Sequence, residues 1–116
     1  MKLRTKRFAL RVIRLVEAVR KTHKANLTAD TIGRQLLRSA ISVGANYRAA
    51  CRARSSADFV SKMGIVEEEA DETKYWIELL VESMLVGEVE VSDLLDEADQ
   101  LVAISVASIK TSRKKR

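Results

Sequence analysis

Two groups of residues in this 116-residue chain have the type and spacing to do chemistry. One is the acidic run Glu67, Glu68, Glu69, Asp71 and Glu72, and the other is a set of arginine rows in the first half. Clustered carboxylates act as acid and base, or hold a metal, when several converge on one point. A di-metal helical bundle also needs Glu-x-x-His pairs on two helices, and His23 is the only histidine. Cys51 is the only cysteine, so a Cys/His zinc site within one chain is excluded. The expectation is no metal, no cofactor and no catalytic residue, with the acids serving as a partner face for arginines. His23, near the end of a helix, suits the negative end of its dipole, and Cys51 reads as a buried structural thiol.

The arginines follow helical geometry. Arg34, Arg38, Arg48 and Arg52 fall within an arc of roughly 80° at 100° per residue, and Arg4, Arg7, Arg11, Arg14 and Lys21 within roughly 100°. Two such stripes and a basic tail can neutralise phosphates in a sequence-independent, salt-sensitive manner. No aromatics are interleaved with them, which argues against specific stacking on single strands. The alternative is a solvated face, or pairing with acids of the third helix. The net charge of +5 hides a polarity along the chain. Residues 1–54 hold fourteen bases against two acids, and residues 55–116 hold seven bases against fourteen acids. The two halves can therefore attract each other, within one chain or between copies.

Those residues must be positioned by helices. With no proline, four glycines and 47% hydrophobic residues, the chain suits one helical domain rather than a turn-rich β fold. Phe8, Val12, Leu15, Val16 and Val19 form one apolar stripe over about residues 5–24. Asn26 and Thr28 stand in the break that follows. Ile32, Leu36, Ala40, Val43, Tyr47 and Ala50 line a second helix over about 29–53. Beside that stripe, Gly33, Ala40, Gly44 and Cys51 let a neighbour approach closely. Ser55 with Asp58 resembles a capping box and opens a third helix over about 57–85. Its heptad seam runs Phe59, Met63, Val66, Ala70, Thr73, Ile77, Leu80 and Met84, and Gly87 ends it. Ser92 is expected to cap a fourth helix over about 92–108, with Leu94, Leu95, Ala98, Leu101, Val102, Val106 and Ile109 apolar. Residues 110–116 form a basic tail, with Arg113, Lys114, Lys115 and Arg116 expected to be mobile. The fold expected is an all-α, up-down-up-down antiparallel four-helix bundle spanning residues 1–116. No signal peptide or membrane-spanning run is read, so a cytoplasmic protein with no membrane partner is expected.

The third helix also carries Ile65, Glu69, Glu72, Trp76 and Leu79 on a second face, opposite its seam. A helix apolar on two sides has a second surface to bury, and tryptophan is enriched at interface hot spots. These five residues are expected at an oligomer interface, with arginines of the basic helices meeting the acids.

The stretch from Ile32 to Tyr47, with Arg38, Ser39, Ala40, Ser42, Ala45 and Asn46, resembles the bacterial four-helix bundle proteins encoded in intervening sequences of 23S ribosomal RNA genes. Arg52-Ala53-Arg54-Ser55, Glu69-Ala70-Asp71-Glu72-Thr73 and Tyr75-Trp76-Ile77-Glu78-Leu79-Leu80 are similar to the same family, over about residues 8–110. Ala49 departs from the pattern, where many members have glutamate. The resemblance implies a homopentamer without established enzymatic activity. It also implies kinship with the accessory protein of diversity-generating retroelements, which binds nucleic acid through a basic surface. By position, the resemblance carries over only Arg34, Arg38, Arg48 and Arg52, as candidates on the corresponding helix. The function expected is a non-enzymatic, oligomeric protein that binds RNA or DNA backbone. A protein-interaction scaffold is the alternative, and a second protein partner stays open.

Overall fold

Helical periodicity carries through almost the whole chain. A computed structural model describes residues 1–115, and places them in α1 (Lys2–Thr22), α2 (Leu27–Cys51), α3 (Ser56–Glu82) and α4 (Glu88–Lys114). There is no strand among the described residues, and none of their helices is long and apolar enough to cross a membrane. The helices pack side by side into a bundle 51 × 21 × 20 Å. Two expected caps form. The Asn26 side chain accepts from Ala29 N–H at 2.9 Å, and Ser55 Oγ accepts from Asp58 N–H at 3.0 Å, each satisfying an orphan donor of a helix start.

The core is built from the four stripes. Phe8, Val12, Val16 and Val19 of α1 meet Leu36, Ala40 and Val43 of α2, Met63, Val66, Ala70, Ile77 and Leu80 of α3, and Leu94, Ala98 and Leu101 of α4. Leu15, Tyr47, Phe59, Leu95 and Val102 are only half-buried at its margin. Val91 and Ser105 also lie buried in α4. The glycines of α2 work as expected. A Cβ on Gly33 would lie 3.2 Å from Val16 Cγ1, and one on Gly44 would lie 3.3 Å from Thr5 Oγ1. These two contacts also fix the antiparallel register of α1 on α2.

Several expected features are corrected. Helix α3 stops at Glu82, so Met84 leaves the seam and is 87% exposed. Ser83 is the C-cap and Met84 takes φ 63°. Leu85 N–H then donates to Leu80 O and Met84 N–H to Val81 O, a Schellman closure with methionine where glycine is usual. Helix α4 begins at Glu88 with Gly87 as N-cap, not at Ser92. Glu90 reaches back to accept from Gly87 N–H at 3.2 Å, while the Ser92 hydroxyl donates to Val89 O within the helix. A carboxylate at the third helical position can thus start a helix without a hydroxyl cap. The expected mobile tail is helical through Lys114, because apolar periodicity continues past Leu101 to buried Ile109. Arg116, the last residue of that tail, lies outside the described residues. Cys51 is exposed rather than buried, since it is the final residue of α2. Burial first, and the adjacent Cys51 thiol second, hold the Tyr47 phenol above its ordinary range.

Candidate nucleic-acid interface

The basic stripe of α1 looks toward α4. Arg4 donates from Nε to Glu97 Oε2 at 2.7 Å, from a terminal nitrogen to Glu97 Oε1 at 2.8 Å, and to Gln100 Oε1 at 2.6 Å. The hydrogen bond from Arg4 outweighs burial and holds the Glu97 carboxyl below the usual carboxylate range, with Arg11 adding a smaller pull. Arg7, Arg11, Arg14 and Lys21 are exposed and make no ion pair among the described residues. They stand along a seam where α1 and α4 touch far less than the other neighbouring helices do. Arg11 and Arg14 share one recess of that seam with Leu15, Glu90, Val91 and Leu94. Arg4, Arg7 and Arg11 share another with Leu3, Phe8 and Glu97. The seam is therefore an open groove with an apolar floor, a basic wall on α1 and an acidic wall on α4. Beyond the start of α1, α4 carries the cationic character onward through Lys114 and Lys115.

The basic stripe of α2 does not join it. Gly33 and Gly44 mark the side of α2 that faces α1. At 100° per residue, Arg34, Arg48 and Arg52 project about 50–90° further round, toward solvent. All three are exposed and unpaired among the described residues. Arg38 leans the other way and pairs with Glu69, at 3.2 Å, and with Glu72 of α3. The two stripes thus form separate surfaces on opposite flanks of the α1–α2 hairpin.

The five residues expected at a subunit seam share one edge of α3, and all are half-buried within the chain itself. Trp76 Nε1 donates to Glu72 Oε2 at 3.0 Å and its ring meets Tyr75 edge-on, with centroids 5.0 Å apart. The acids expected to meet a neighbouring copy's arginines are met by the chain's own Arg38. Among the described residues, no three His, Cys, Asp or Glu side chains are grouped to hold a metal ion. His23 caps α1, with its Nε2 3.0 Å from Leu85 O, which ties the α1 end to the α3–α4 turn.

Sequence reasoning missed the bases that gather at one end of the bundle. The α1 start, the α2 end and the α4 end bring Lys2, Arg48, Arg52, Arg54, Arg113, Lys114 and Lys115 to the same pole. The signal was present as the apolar stripe continuing to Ile109, which makes the tail part of a helix.

No curated protein matches the chain. A protein of unknown function from the S23 ribosomal protein family of Bacteroides thetaiotaomicron is similar in structure, with a TM-score of 0.85 at 31% identity. The match covers 94% of this chain and 97% of that one. The model of the 23S rRNA-intervening sequence protein family matches residues 2–107. With that match spanning nearly the whole chain, and the arginine, small-residue and Ala45-Asn46 pattern inside it, the chain belongs to the 23S rRNA-intervening sequence protein family.

Proposed function

We propose that this protein is a non-enzymatic, cytoplasmic component that assembles with copies of itself, five by family resemblance, and binds RNA or DNA through phosphate contacts. The observation that carries the reading is the row Arg7, Arg11 and Arg14, exposed and unpaired along the α1–α4 groove although Glu90 stands on the opposite wall. A cationic row along a groove, continued by the basic pole, is the electrostatic footprint of a backbone-tracking protein. Binding is expected in the micromolar range at low salt, with little sequence preference. Fluorescence anisotropy with a labelled single-stranded RNA, titrated over a range of salt, tests it. Replacing Arg7, Arg11 and Arg14 together by glutamine should reduce the salt slope by about 2, at about 0.7 for each phosphate no longer neutralised. Absence of binding at low salt and high protein concentration overturns the reading.

A protein-interaction scaffold is the second reading, and the pairing of Arg38 with Glu69 and Glu72 favours it. There the bases serve to fix helices and partner proteins, and the anisotropy titration stays flat.

A further inference from the structure

The bundle has two broad sides of opposite charge. On the α1–α2 side, the 100° helical step places Lys6, Leu10 and Ile13 of α1 next to Arg34, Leu37, Ile41 and Arg48 of α2, with Glu17 and the Arg20–Asp30 ion pair as the acids on that side. Leu10 is 42% and Ile41 50% exposed, so this basic side carries an apolar strip that the chain leaves open. On the α3–α4 side, the same construction brings together Glu67, Asp71 and Glu78 of α3 with Asp96 and Asp99 of α4. Lys74, paired with Asp99 at 2.8 Å, is one of the few bases there. That side also has a shallow depression, toward the end of α4 where Lys110 and Arg113 interrupt its acidic character. A Cβ added to Gly64 would meet nothing within 4 Å, and the recess beside it has Val60, Val106 and Ile109 as its floor, with Glu67 and Glu68 of α3 and Lys110 and Arg113 of α4 at its rim.

We infer that the α1–α2 side of one copy docks on the α3–α4 side of the next. This rests on the self-assembly proposed above and names the two surfaces that perform it. Like sides repel, since pairing α1–α2 with itself sets base on base and pairing α3–α4 with itself sets acid on acid. Only the unlike pairing brings opposite potentials together. The two sides lie on opposite flanks of each bundle, so the contact is head-to-tail, and it closes into a ring when its rotation permits. The apolar strip supplies area and the charged rims set direction. The α1–α4 groove stays outside the contact, which separates the surface for assembly from the surface for polyanions. Arg34 and Arg48 then act at the subunit rim, while Arg7, Arg11 and Arg14 remain open.

Charge reversal on each side tests the docking. One variant carries Arg34→Glu and Arg48→Glu, and a second carries Asp71→Lys and Glu78→Lys. All four positions are exposed, so circular dichroism should report an unchanged helical fold for both. Light scattering at tens of micromolar is expected to give each variant alone the mass of one 13.0 kDa chain. An equimolar mixture should regain mass as alternating pairs, open chains or even-numbered rings, because the reversed sides match each other and the native sides also match, while strict alternation leaves one repelling contact in a ring of five. A variant that keeps the wild-type mass overturns the assignment, as does a mixture that stays monomeric while both variants are folded. Unchanged mass with lost RNA binding overturns it too, by giving Arg34 and Arg48 to the polyanion. A monomeric wild type defeats self-assembly itself, and that result is read before any variant is made.

Discussion

The α2–α3 and α1–α4 seams lie on opposite sides of the bundle and are built differently. At α2–α3 the Thr73 hydroxyl donates to Ser39 Oγ at 2.9 Å inside the core, and Arg38 closes over Glu69 and Glu72 at the surface. Leu36, Ala40, Ile77 and Leu80 are excluded from water beneath them. At α1–α4 the side-chain ties are Arg4 to Glu97 and Gln100, near one end. The rest of that seam holds Arg11, Leu15, Glu90 and Leu94, with Leu15 only half-buried. Long charged side chains extend toward water and keep their heads solvated, so two helices that present them to each other stay apart. Short hydroxyls and alanines let α2 and α3 interdigitate. Both halves of the chain are rich in charge, and the residues at the packing edge decide which seam closes.

The largest difference should appear on truncating one apolar residue at each seam. Ile77→Ala, at a fully buried position on α3, is expected to cost 2–5 kcal/mol, roughly the range for losing a large aliphatic from a core. Leu15→Ala should cost only about 1 kcal/mol, since much of that side chain already meets water. Urea denaturation of the two variants checks the contrast. Equal costs would mean that the α1–α4 seam is packed as tightly as its counterpart.

This contrast explains what could be read from the chain alone. The four helices, their core stripes, the caps at Asn26 and Ser55 and the close approach at Gly33 and Gly44 follow from spacing and side-chain size. Those signals are local. The opposite flanks taken by the two arginine stripes were not legible, because each stripe was located on its own helix without the direction of its neighbours. Arg38 and Arg34 are four residues apart, yet one reaches α3 and the other solvent. The half-burial of Trp76 was hidden for a related reason, since its cover comes partly from Glu72 on its own helix. Ser92 misled because hydroxyl caps are the commoner signal, whereas Glu90 and Gly87 form the start.

Met84 gives a way to strengthen the end of the open seam, where it lines a recess with Leu15, Val19, His23 and Leu85. It holds a left-handed backbone, φ 63°, that costs a side-chain-bearing residue about 1–2 kcal/mol. Met84→Gly should therefore raise stability by about 1 kcal/mol, seen as a higher urea midpoint with an unchanged slope. No gain would mean that the exposed methionine makes compensating contacts in the assembled protein.

Two glycines sharpen the point about closeness. Gly64→Ala on open α3 surface should stabilise by about 0.5–1 kcal/mol, the ordinary benefit of removing glycine from a helix interior. Gly44→Ala should give less or turn unfavourable, because its Cβ would press on Thr5 across the tight α1–α2 contact. Thermal melts of both variants read the difference, and a larger gain at Gly44 would contradict the close approach.

The smallest effect concerns the tie that holds the open seam. Arg4 lowers the Glu97 carboxyl in the folded chain relative to the unfolded one. A carboxyl shifted in that direction stabilises the fold above its unfolded value, about 4.3 for glutamate. The contribution disappears as pH falls through the lower folded value. Since Arg4 is partly exposed, the pair should be worth only about 0.5 kcal/mol. Glu97→Gln should accordingly be less stable than wild type at neutral pH and converge with it in acid. Hydrogen exchange in the first turns of α1 should speed up over the same window in wild type only, because protonating Glu97 weakens the polar tie there. An α1 start that stays equally protected in acid would mean that Phe8 and Val12 hold it in place, and that the groove is kept open by packing rather than closed by charge.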